Sequence, residues 1–286
     1  MKESRLGFKM ILGIIFVLLG VIMIYFNSSF SPIKKDFEKD LSRLIENNKK
    51  YDNDVFSKDD FKDYPIAIQK YIENNGFIGK SKMDYAFMDY KDVDFAQNQN
   101  RKLSVNYKQY NFAHNPNRIA LVESSMFGIP FEGYDYYIDG TGGMRGMIAK
   151  SINLFDQKGS NMDKGALCTY LAEILFIPSS ILYNENIILE EINQYQVRAT
   201  IVDNGIKVSG IFSFNDDYEF KSFYTEDRPA VADDGSVSYI PWSANVLSYK
   251  KIEDGINFID HVQIIWHYPD QDLIYFDGNL ENIIYY

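Results

Sequence analysis

Apolar and polar residues alternate with a period of two along most of the chain. Leu103–Tyr107, Val197–Ile201 and Ile256–Trp266 are clear examples. Because successive side chains of a strand point to opposite faces, this pattern predicts strands that bury one face of a sheet. Turn pairs such as Asp139-Gly140 and Asn204-Gly205 separate these runs and favour antiparallel neighbours. We therefore expect about ten strands, arranged as a meander, sandwich or barrel.

One segment in the middle of the chain departs from this alternation. Its apolar residues recur with the spacing of a helix: Leu167, Tyr170, Leu171, Ile174 and Leu175. Asp163 is the expected N-cap and Pro178 the expected end, which gives a helix of about a dozen residues, apolar on most sides. Such a helix must be covered on most sides. We predict a mainly β (α+β) fold in which a curved antiparallel sheet or half-barrel wraps around an apolar helix.

The N-terminus carries a separate signal. Met10–Phe26 is an uninterrupted apolar run preceded by Lys2, Arg5 and Lys9. Its roughly seventeen residues span about 25 Å as a helix, and flanking residues extend it towards the ~30 Å of a bilayer core. A cleaved signal peptide is the alternative, but its apolar region should be shorter and end in small residues, whereas this run ends in Asn27–Phe30. We predict one retained N-terminal transmembrane helix.

The same region bears on localisation. Basic residues before the run favour a cytoplasmic N-terminus, although Lys34, Lys35 and Lys39 follow it closely and weaken that signal. A signal-anchor that places a long domain outside the cytoplasm is the commoner arrangement. We therefore expect a single-pass protein of the cell membrane. Its expected parts are a membrane anchor (1–30), a juxtamembrane stalk or helix (31–63) and a single β-rich extracytoplasmic domain (64–286).

The charge of the chain limits its partners. The formal net charge is −11, and three basic residues against one acidic residue give the first thirty residues +2, so the remainder carries −13. A domain this acidic is repelled by nucleic-acid phosphates and by anionic lipid headgroups. We expect no nucleic-acid partner.

Motifs of the common enzyme and cofactor classes are incomplete. Gly76–Ser81 ends like a phosphate-binding loop, but Asn74 stands where that motif needs glycine. His261 and His267 lie on one predicted strand, about 20 Å apart at ~3.3 Å per residue, too far to share a metal ion. The single cysteine, Cys168, has apolar neighbours and is expected to be buried and unreactive. We expect no cofactor and no metal, and a Ser or Cys triad around a histidine stays open.

Glu173 stands out because it lies in the middle of the apolar helix. Burying a bare carboxylate is costly, so a buried Glu173 should meet a cation or hydrogen-bond donors, or line a cavity. Arg145 and Arg198 are candidate partners, because each sits in or beside an otherwise apolar segment. The alternative is that Glu173 and Thr169 form a polar stripe in contact with water.

Short segments spread along the chain resemble a known family. They are Pro65–Gly79, Tyr137–Met144, Gly165–Pro178, Val208–Phe214, Pro241-Trp242 and Val262–Tyr268. In order, they are similar to an uncharacterised family of bacterial membrane-anchored proteins that carry domain of unknown function 6544. The resemblance covers most of the chain after about Pro65. It implies one continuous domain and an anchored location, and it carries no established activity.

A curved sheet around an apolar helix also resembles bacterial lipoprotein carriers and related lipid-binding domains. Curved sheets of this size often enclose an apolar cavity. The first hypothesis is therefore a module that binds a lipid or other hydrophobic ligand in a cavity of several hundred cubic ångströms. The expected ligand-binding residues are Tyr170, Glu173 and Phe176 on the helix, Arg145 as a partner of Glu173, and Trp242, Tyr249 and Trp266 on the sheet.

Two other classes of function stay open. A structural or interaction protein of the cell envelope predicts a solid core with an exposed apolar patch or an unpaired edge strand. A hydrolase with a dispersed site predicts a histidine within hydrogen-bond reach of a serine or carboxylate in a cleft. A cavity of several hundred cubic ångströms between helix and sheet, as opposed to a core filled by Phe and Tyr, is the feature that separates the first hypothesis from both.

Overall fold

The computed structural model of the chain describes residues 2–48, 54–98, 101–126, 128–231, 236–252 and 254–286. The α-helices in these ranges are α1 (Lys2–Asn27), α2 (Pro32–Asn48), α3 (Ile66–Asn74), α4 (Ser160–Ala172) and α5 (Ser179–Tyr183). Short 3-10 helices lie at Asp59–Phe61 and Ile174–Phe176.

Strands make up the larger part of the fold. They are β1 (Tyr85–Asn98), β2 (Arg101–Phe112), β3 (Arg118–Met126), β4 (Ile129–Ile138), β5 (Thr141–Ile148), β6 (Ile152–Lys158), β7 (Ile187–Asn193), β8 (Gln196–Asp203), β9 (Ile206–Phe214), β10 (Phe220–Thr225), β11 (Pro229–Val231), β12 (Val237–Tyr239), β13 (Trp242–Lys251), β14 (Asn257–His267) and β15 (Asp272–Tyr285). The expected number, about ten, was too low. Arg118–Val122 in β3 is buried on both faces, so alternation of polar and apolar residues is missing there.

Thirteen of these strands form one antiparallel sheet in the order β6-β5-β4-β3-β2-β1-β15-β14-β13-β10-β9-β8-β7. The first six strands form one meander, and β7–β10 with β13–β15 form a second that returns to pair with β1, while β11 and β12 pair with each other in a separate two-stranded sheet. The chain passes from the edge strand β6 to the opposite edge strand β7 through α4 and α5. This crossover carries α4 over one face of the sheet.

The curved sheet wraps around α4, which confirms the predicted fold. Every residue of Gly165–Ala172 is buried, and α4 contacts strands from both halves of the sheet. The helix begins earlier than expected: Gly159 is the N-cap, and Asp163 Oδ1 instead accepts a hydrogen bond from the Gly142 amide at 2.7 Å. Gly142 permits this close approach, since a Cβ there would lie 2.6 Å from the Met162 carbonyl oxygen.

The opposite, convex face of the sheet is covered over β2–β4 by α2. Ile33, Phe37 and Leu44 of this helix are buried against strand residues that include Phe112 and Ile119. The segment 31–63 therefore contains the expected helix, but that helix packs on the sheet instead of extending away from it as a stalk. Over β2–β4 the fold therefore has three layers, which are α2, the sheet and α4.

Helix α1 lies apart from both hydrophobic clusters, and its apolar side chains from Met10 to Ile24 are mostly exposed. Within the described part of the chain, it supplies the one stretch that is long and apolar enough to cross a bilayer by length and composition. Among the described residues, the two clusters on the concave and convex faces of the sheet contain none from α1.

Candidate functional site

A cavity lies between the C-terminal end of α4 and the concave face of the sheet. Its volume is about 120 Å³, below the several hundred cubic ångströms expected from the sequence. Apolar and aromatic side chains form most of its wall, and half-buried residues such as Met144, Met162 and Tyr275 surround its mouth. The wall residues used below are Tyr107, Gln109, Arg118, Asp135, Thr169, Glu173, Phe176, Arg228, Trp242 and Ala244.

Glu173 contributes a carboxyl group to the wall of this cavity. It is the C-cap of α4 and is 9% exposed. Its Oε2 atom accepts hydrogen bonds from Arg118 Nε at 2.9 Å, Gln109 Nε2 at 2.7 Å and Asn111 Nδ2 at 2.9 Å. Three donors on one oxygen satisfy a carboxylate that would otherwise be costly to bury.

Arg118 is the centre of the same network. Its Nη1 donates to Asp135 Oδ2 at 2.7 Å, and its Nη2 donates to Tyr107 Oη at 2.7 Å. Tyr107 Oη in turn donates to Asp135 Oδ2 at 2.9 Å. One guanidinium thus faces two carboxylates, Glu173 and Asp135, so this buried network is anionic overall when both carboxyl groups are ionised.

Burial and charge act in opposite directions on this network. Burial lowers the pKa of Arg118, but the nearby carboxylates of Glu173 and Asp135 outweigh this and hold that pKa well above its ordinary value. Burial raises the pKa of the Glu173 carboxyl above its ordinary value, and Arg118 and Asn111, which stabilise the ionised form, offset this only in part. Arg118 therefore stays protonated, and the stability of the ionised Glu173 depends on it.

A second arginine lies at the mouth of the cavity. The Arg228 guanidinium is 5.1 Å from the ring centroid of Trp242 and 5.5 Å from that of Trp266, within cation–π range of both. Its Nη1 donates to the Gly165 carbonyl oxygen and, at 2.7 Å, to Thr169 Oγ1. Arg228 thus ties the segment after β10 to both α4 and the sheet.

The structure places four of the seven predicted ligand-binding residues at this cavity. Glu173, Phe176 and Trp242 line it, and Trp266 contacts Arg228 at its mouth. Trp242 is fully buried, and its Nε1 donates to Tyr275 Oη at 3.1 Å.

The other three predicted residues lie elsewhere. Tyr170 Oη donates to the Phe112 carbonyl oxygen and Tyr249 Oη to the Phe220 carbonyl oxygen, so both phenols serve core packing. Arg145 does not pair with Glu173: its Nη2 lies 2.5 Å from Asp36 Oδ2 of α2, on the convex face. Side chains alternate along β5, so Met144 faces the cavity and Arg145 faces away from it.

Sequence reasoning missed Arg118 and Arg228 as site residues. Arg118 directly precedes the apolar run Ile119–Val122 and looks like a flanking residue. Arg228 precedes Pro229 outside any alternating run, so no periodicity marked it. Arg198, the other candidate partner of Glu173, lies on β8 and is exposed.

Cys168 and the histidines lie outside the cavity wall. Burial raises the pKa of the Cys168 thiol to about 12, which keeps it protonated and a poor nucleophile. His114 Nε2 lies 2.8 Å from Asp84 Oδ1, and His261 Nε2 lies 2.5 Å from Asp277 Oδ1. Among the described residues, no group of three or more His, Cys, Asp or Glu side chains is placed to hold a metal ion.

One histidine does lie within reach of a serine and a carboxylate. Ser243 Oγ is 2.9 Å from His267 Nε2, and His267 Nδ1 is 2.8 Å from Asp272 Oδ1, the connectivity of a hydrolase triad. Ser243 follows Trp242 on β13, so it faces the convex side, away from the cavity. Ser243 is 5% exposed, and Asn245 Nδ2 also donates to its Oγ at 3.0 Å. This geometry fits a cross-strand hydrogen-bond chain better than a nucleophile facing a cleft.

We expect Ser243 to resist a fluorophosphonate probe, because its hydroxyl is covered and strand pairing engages the backbone near it. Incubation of the protein with the probe, followed by mass spectrometry of the tryptic peptides, checks this. Ser243→Ala is the control for any labelling seen. Stoichiometric labelling that Ser243→Ala and His267→Ala both abolish would instead establish a hydrolase.

Comparisons with known proteins bear on the fold and the family. The chain is similar to the crystal structure of a provisional outer membrane lipoprotein-sorting protein domain from Vibrio parahaemolyticus, with 10% identity over 77% of this chain and 92% of that one, at a TM-score of 0.41. It is also similar to a DUF1329 family protein from Desulfovibrio piger, with 10% identity over 78% and 93% of the two chains, at a TM-score of 0.41. No curated protein matches the chain significantly. The model of a family of unknown function, DUF6544, matches residues 54–278, which is most of the sequence, and the chain therefore belongs to that family.

Proposed function

We propose that this protein is a membrane-anchored binding module that holds the apolar part of an amphipathic ligand in the cavity between α4 and the sheet. The observation that carries the proposal is the cavity itself, which persists although aromatic residues crowd the concave face. Close packing normally leaves few voids larger than a water molecule, so a space of about 120 Å³ is unusual in a core.

The chemistry of the wall indicates what the cavity accepts. Phe176, Trp242 and Ala244 offer apolar contact. The buried polar side chains of Arg118 and Glu173 are already hydrogen-bonded to each other. A ligand group entering the cavity therefore gains from contact with apolar surface and has little to gain from the paired charges.

Arg228 indicates that the same ligand also carries a hydrogen-bond acceptor. Its Nε atom is buried and has no hydrogen-bond partner among the described residues. A guanidinium held between Trp242 and Trp266 at the mouth is a donor for a carboxylate, phosphate or carbonyl oxygen. We therefore favour a ligand with one apolar group and one acceptor or anionic group.

The size of the cavity limits the apolar group. Its volume is close to the roughly 150 Å³ of an engineered apolar cavity that binds benzene. A ring or the end of an acyl chain fits this space, and a longer chain requires the mouth to widen. Met144 and Met162 at the mouth have flexible side chains that suit such repacking.

The test uses the fragment 31–286, which retains both hydrophobic clusters and the whole sheet. It is purified from a bacterial host and examined for co-purifying lipid by native mass spectrometry and organic extraction. Ala244→Leu fills part of the cavity, so we expect this variant to lose about 90% of the bound ligand, a tenfold effect, while the ligand-free variant stays folded. Ala230→Leu, on β11 outside the cavity, is the matched control.

Two outcomes contradict the proposal. A fragment that purifies without ligand and takes up none from added phospholipid or fatty acid would favour a protein that acts through its surface. A bound lipid that Ala244→Leu leaves unchanged would mean that the ligand binds outside this cavity.

A further inference from the structure

The end of α1 is held against one turn of the sheet. Tyr25 Oη donates to the Lys150 carbonyl oxygen at 3.5 Å, and Lys150 Nζ donates to the Ser28 carbonyl oxygen at 2.6 Å. Lys150 lies in the turn between β5 and β6 and is only 6% exposed, which is unusual for lysine. These two contacts fix which part of the domain lies beside the point where α1 ends.

The turn has an unusual backbone that fits this role. Ala149 and Lys150 both have positive φ angles, 53° and 58°. Hairpin turns with two such residues normally use Asn-Gly or Gly, because a Cβ is unfavourable there. The hydrogen bond from Lys150 Nζ to the Ser28 carbonyl oxygen supplies a reason for a lysine at this position.

Exposed apolar residues surround the same turn. The Ala149 amide donates to the Pro130 carbonyl oxygen at 2.8 Å, which brings the start of β4 beside it, and Phe30 packs on Tyr25 with ring centroids 6.2 Å apart. The apolar turn patch consists of Phe30 (57% exposed), Ile129 (37%), Ile152 (58%) and Leu154 (53%). Ile152 and Leu154 belong to the edge strand β6, whose backbone edge is unpaired in the described sheet.

We propose that the apolar turn patch rests in the interfacial layer of the same bilayer that α1 crosses. This inference rests on the membrane anchoring included in the proposed function. Since Tyr25 and Phe26 end the apolar run, they lie at the level of the lipid headgroups, and the contacts of Lys150 hold the patch at that level. The bilayer then covers both the exposed apolar side chains and the edge of β6.

Charge argues for apolar insertion over electrostatic adhesion. The chain beyond the first thirty residues carries −13, which anionic headgroups repel. Lys34, the charged lysine nearest in sequence after the patch residue Phe30, lies 2.5 Å from Glu123 and 3.7 Å from Glu132. The patch should therefore bind zwitterionic membranes at least as well as anionic ones.

Site-directed spin labelling of the full-length chain tests the proposal. A nitroxide is attached at Ile152→Cys, and the protein is reconstituted in phosphatidylcholine liposomes. Ile188→Cys is the matched control, because Ile188 is 53% exposed on β7, the opposite edge of the sheet. The native Cys168 is buried and should not take up the label. We expect collisions with a water-soluble nickel chelate to be about threefold fewer at position 152 than at 188, and collisions with oxygen to be more frequent.

The outcomes distinguish docking, in which the apolar turn patch rests in the bilayer interface, from anchoring, in which α1 crosses the bilayer. Equal nickel accessibility at both positions, in protein that resists carbonate extraction, would overturn docking and leave the anchor intact. Release of the chain by carbonate would overturn the anchor and docking together. A label at Leu154→Cys repeats the measurement on the same strand, and reduced nickel accessibility there as well would support the proposal. Ligand binding by the fragment 31–286 is measured separately, so neither result decides the other.

Discussion

Replacement of Arg118 by methionine is expected to lower the free energy of unfolding by about 3–5 kcal/mol, the cost of removing one partner of a buried ion pair. Arg118 is 4% exposed at its side chain and binds Glu173 and Asp135 directly. Methionine keeps most of the volume but leaves Glu173 with two amide donors and no cation. Urea unfolding followed by circular dichroism measures the change.

Arg145→Met is the matched control for this effect. Arg145 also forms an ion pair with a carboxylate, Asp36, but the two side chains are 25% and 47% exposed. Solvent screens such a pair, so we expect its loss to change the free energy of unfolding by about 0–1 kcal/mol. Equal effects of the two substitutions would mean that burial does not strengthen the Arg118 network.

A second substitution tests whether the unpaired carboxylate causes the loss. Arg118→Met combined with Glu173→Gln removes the more buried of the two carboxylate charges that the first substitution leaves without Arg118, and Asp135 keeps its charge in both variants. We expect the double variant to be more stable than Arg118→Met alone, since a neutral amide needs no cation. A double variant that is less stable than Arg118→Met would assign the effect to lost packing and not to charge.

The fold could be predicted from the sequence because one helix is apolar on most sides. An element that is apolar on most sides must be surrounded, and alternating strands are the material that can surround it. Residues 165–172 are indeed buried throughout, in a helix that crosses the concave face between the two edge strands. Trp242 and Phe176 followed from the same reasoning and line the cavity.

The partner of Glu173 could not be predicted in this way. Arg118 meets Glu173 because β3 lies next to β2 and the C-cap of α4 reaches both strands, and strand order is not encoded in local periodicity. Arg145 was wrong as the partner because β4 and β5 have buried residues on both faces. Where α2 covers the convex face, a strand shows no polar side, and the face on which Arg145 lies cannot be read from its neighbours.

The size of the cavity could not be predicted from the sequence either. Composition shows that aromatic residues are abundant, but whether they fill the space inside a curved sheet depends on how their rings interlock. Phe212 packs against both Phe220 and Phe223, and these rings fill the space under β9 and β10. The cavity remains where Ala172 of the helix and Ala244 of the sheet contribute short side chains to its wall.

Trp242→Ala is expected to lower the free energy of unfolding by about 3–5 kcal/mol and, at the same time, to widen the cavity. Trp242 is fully buried, so its loss removes a large apolar contact, its hydrogen bond to Tyr275 Oη and its cation–π contact with Arg228. Trp266→Ala is the control, because Trp266 also stacks on Arg228 but does not line the cavity.

Added indole distinguishes a true cavity from general loosening of the Trp242→Ala variant. A ligand that binds only the folded state stabilises it by about 2.7 kcal/mol when its concentration is one hundred times its dissociation constant. Indole should therefore raise the melting temperature of Trp242→Ala in proportion to the logarithm of the indole concentration. It should raise that of Trp266→Ala little, since the space vacated there is half open to solvent. Such rescue would show that the core beside Phe176 and Ala244 keeps its shape around an apolar guest, which is the property that the proposed function requires. An unchanged melting temperature of Trp242→Ala would mean that the walls collapse when the indole ring is lost, and a site that collapses cannot be the preformed pocket of a binding module.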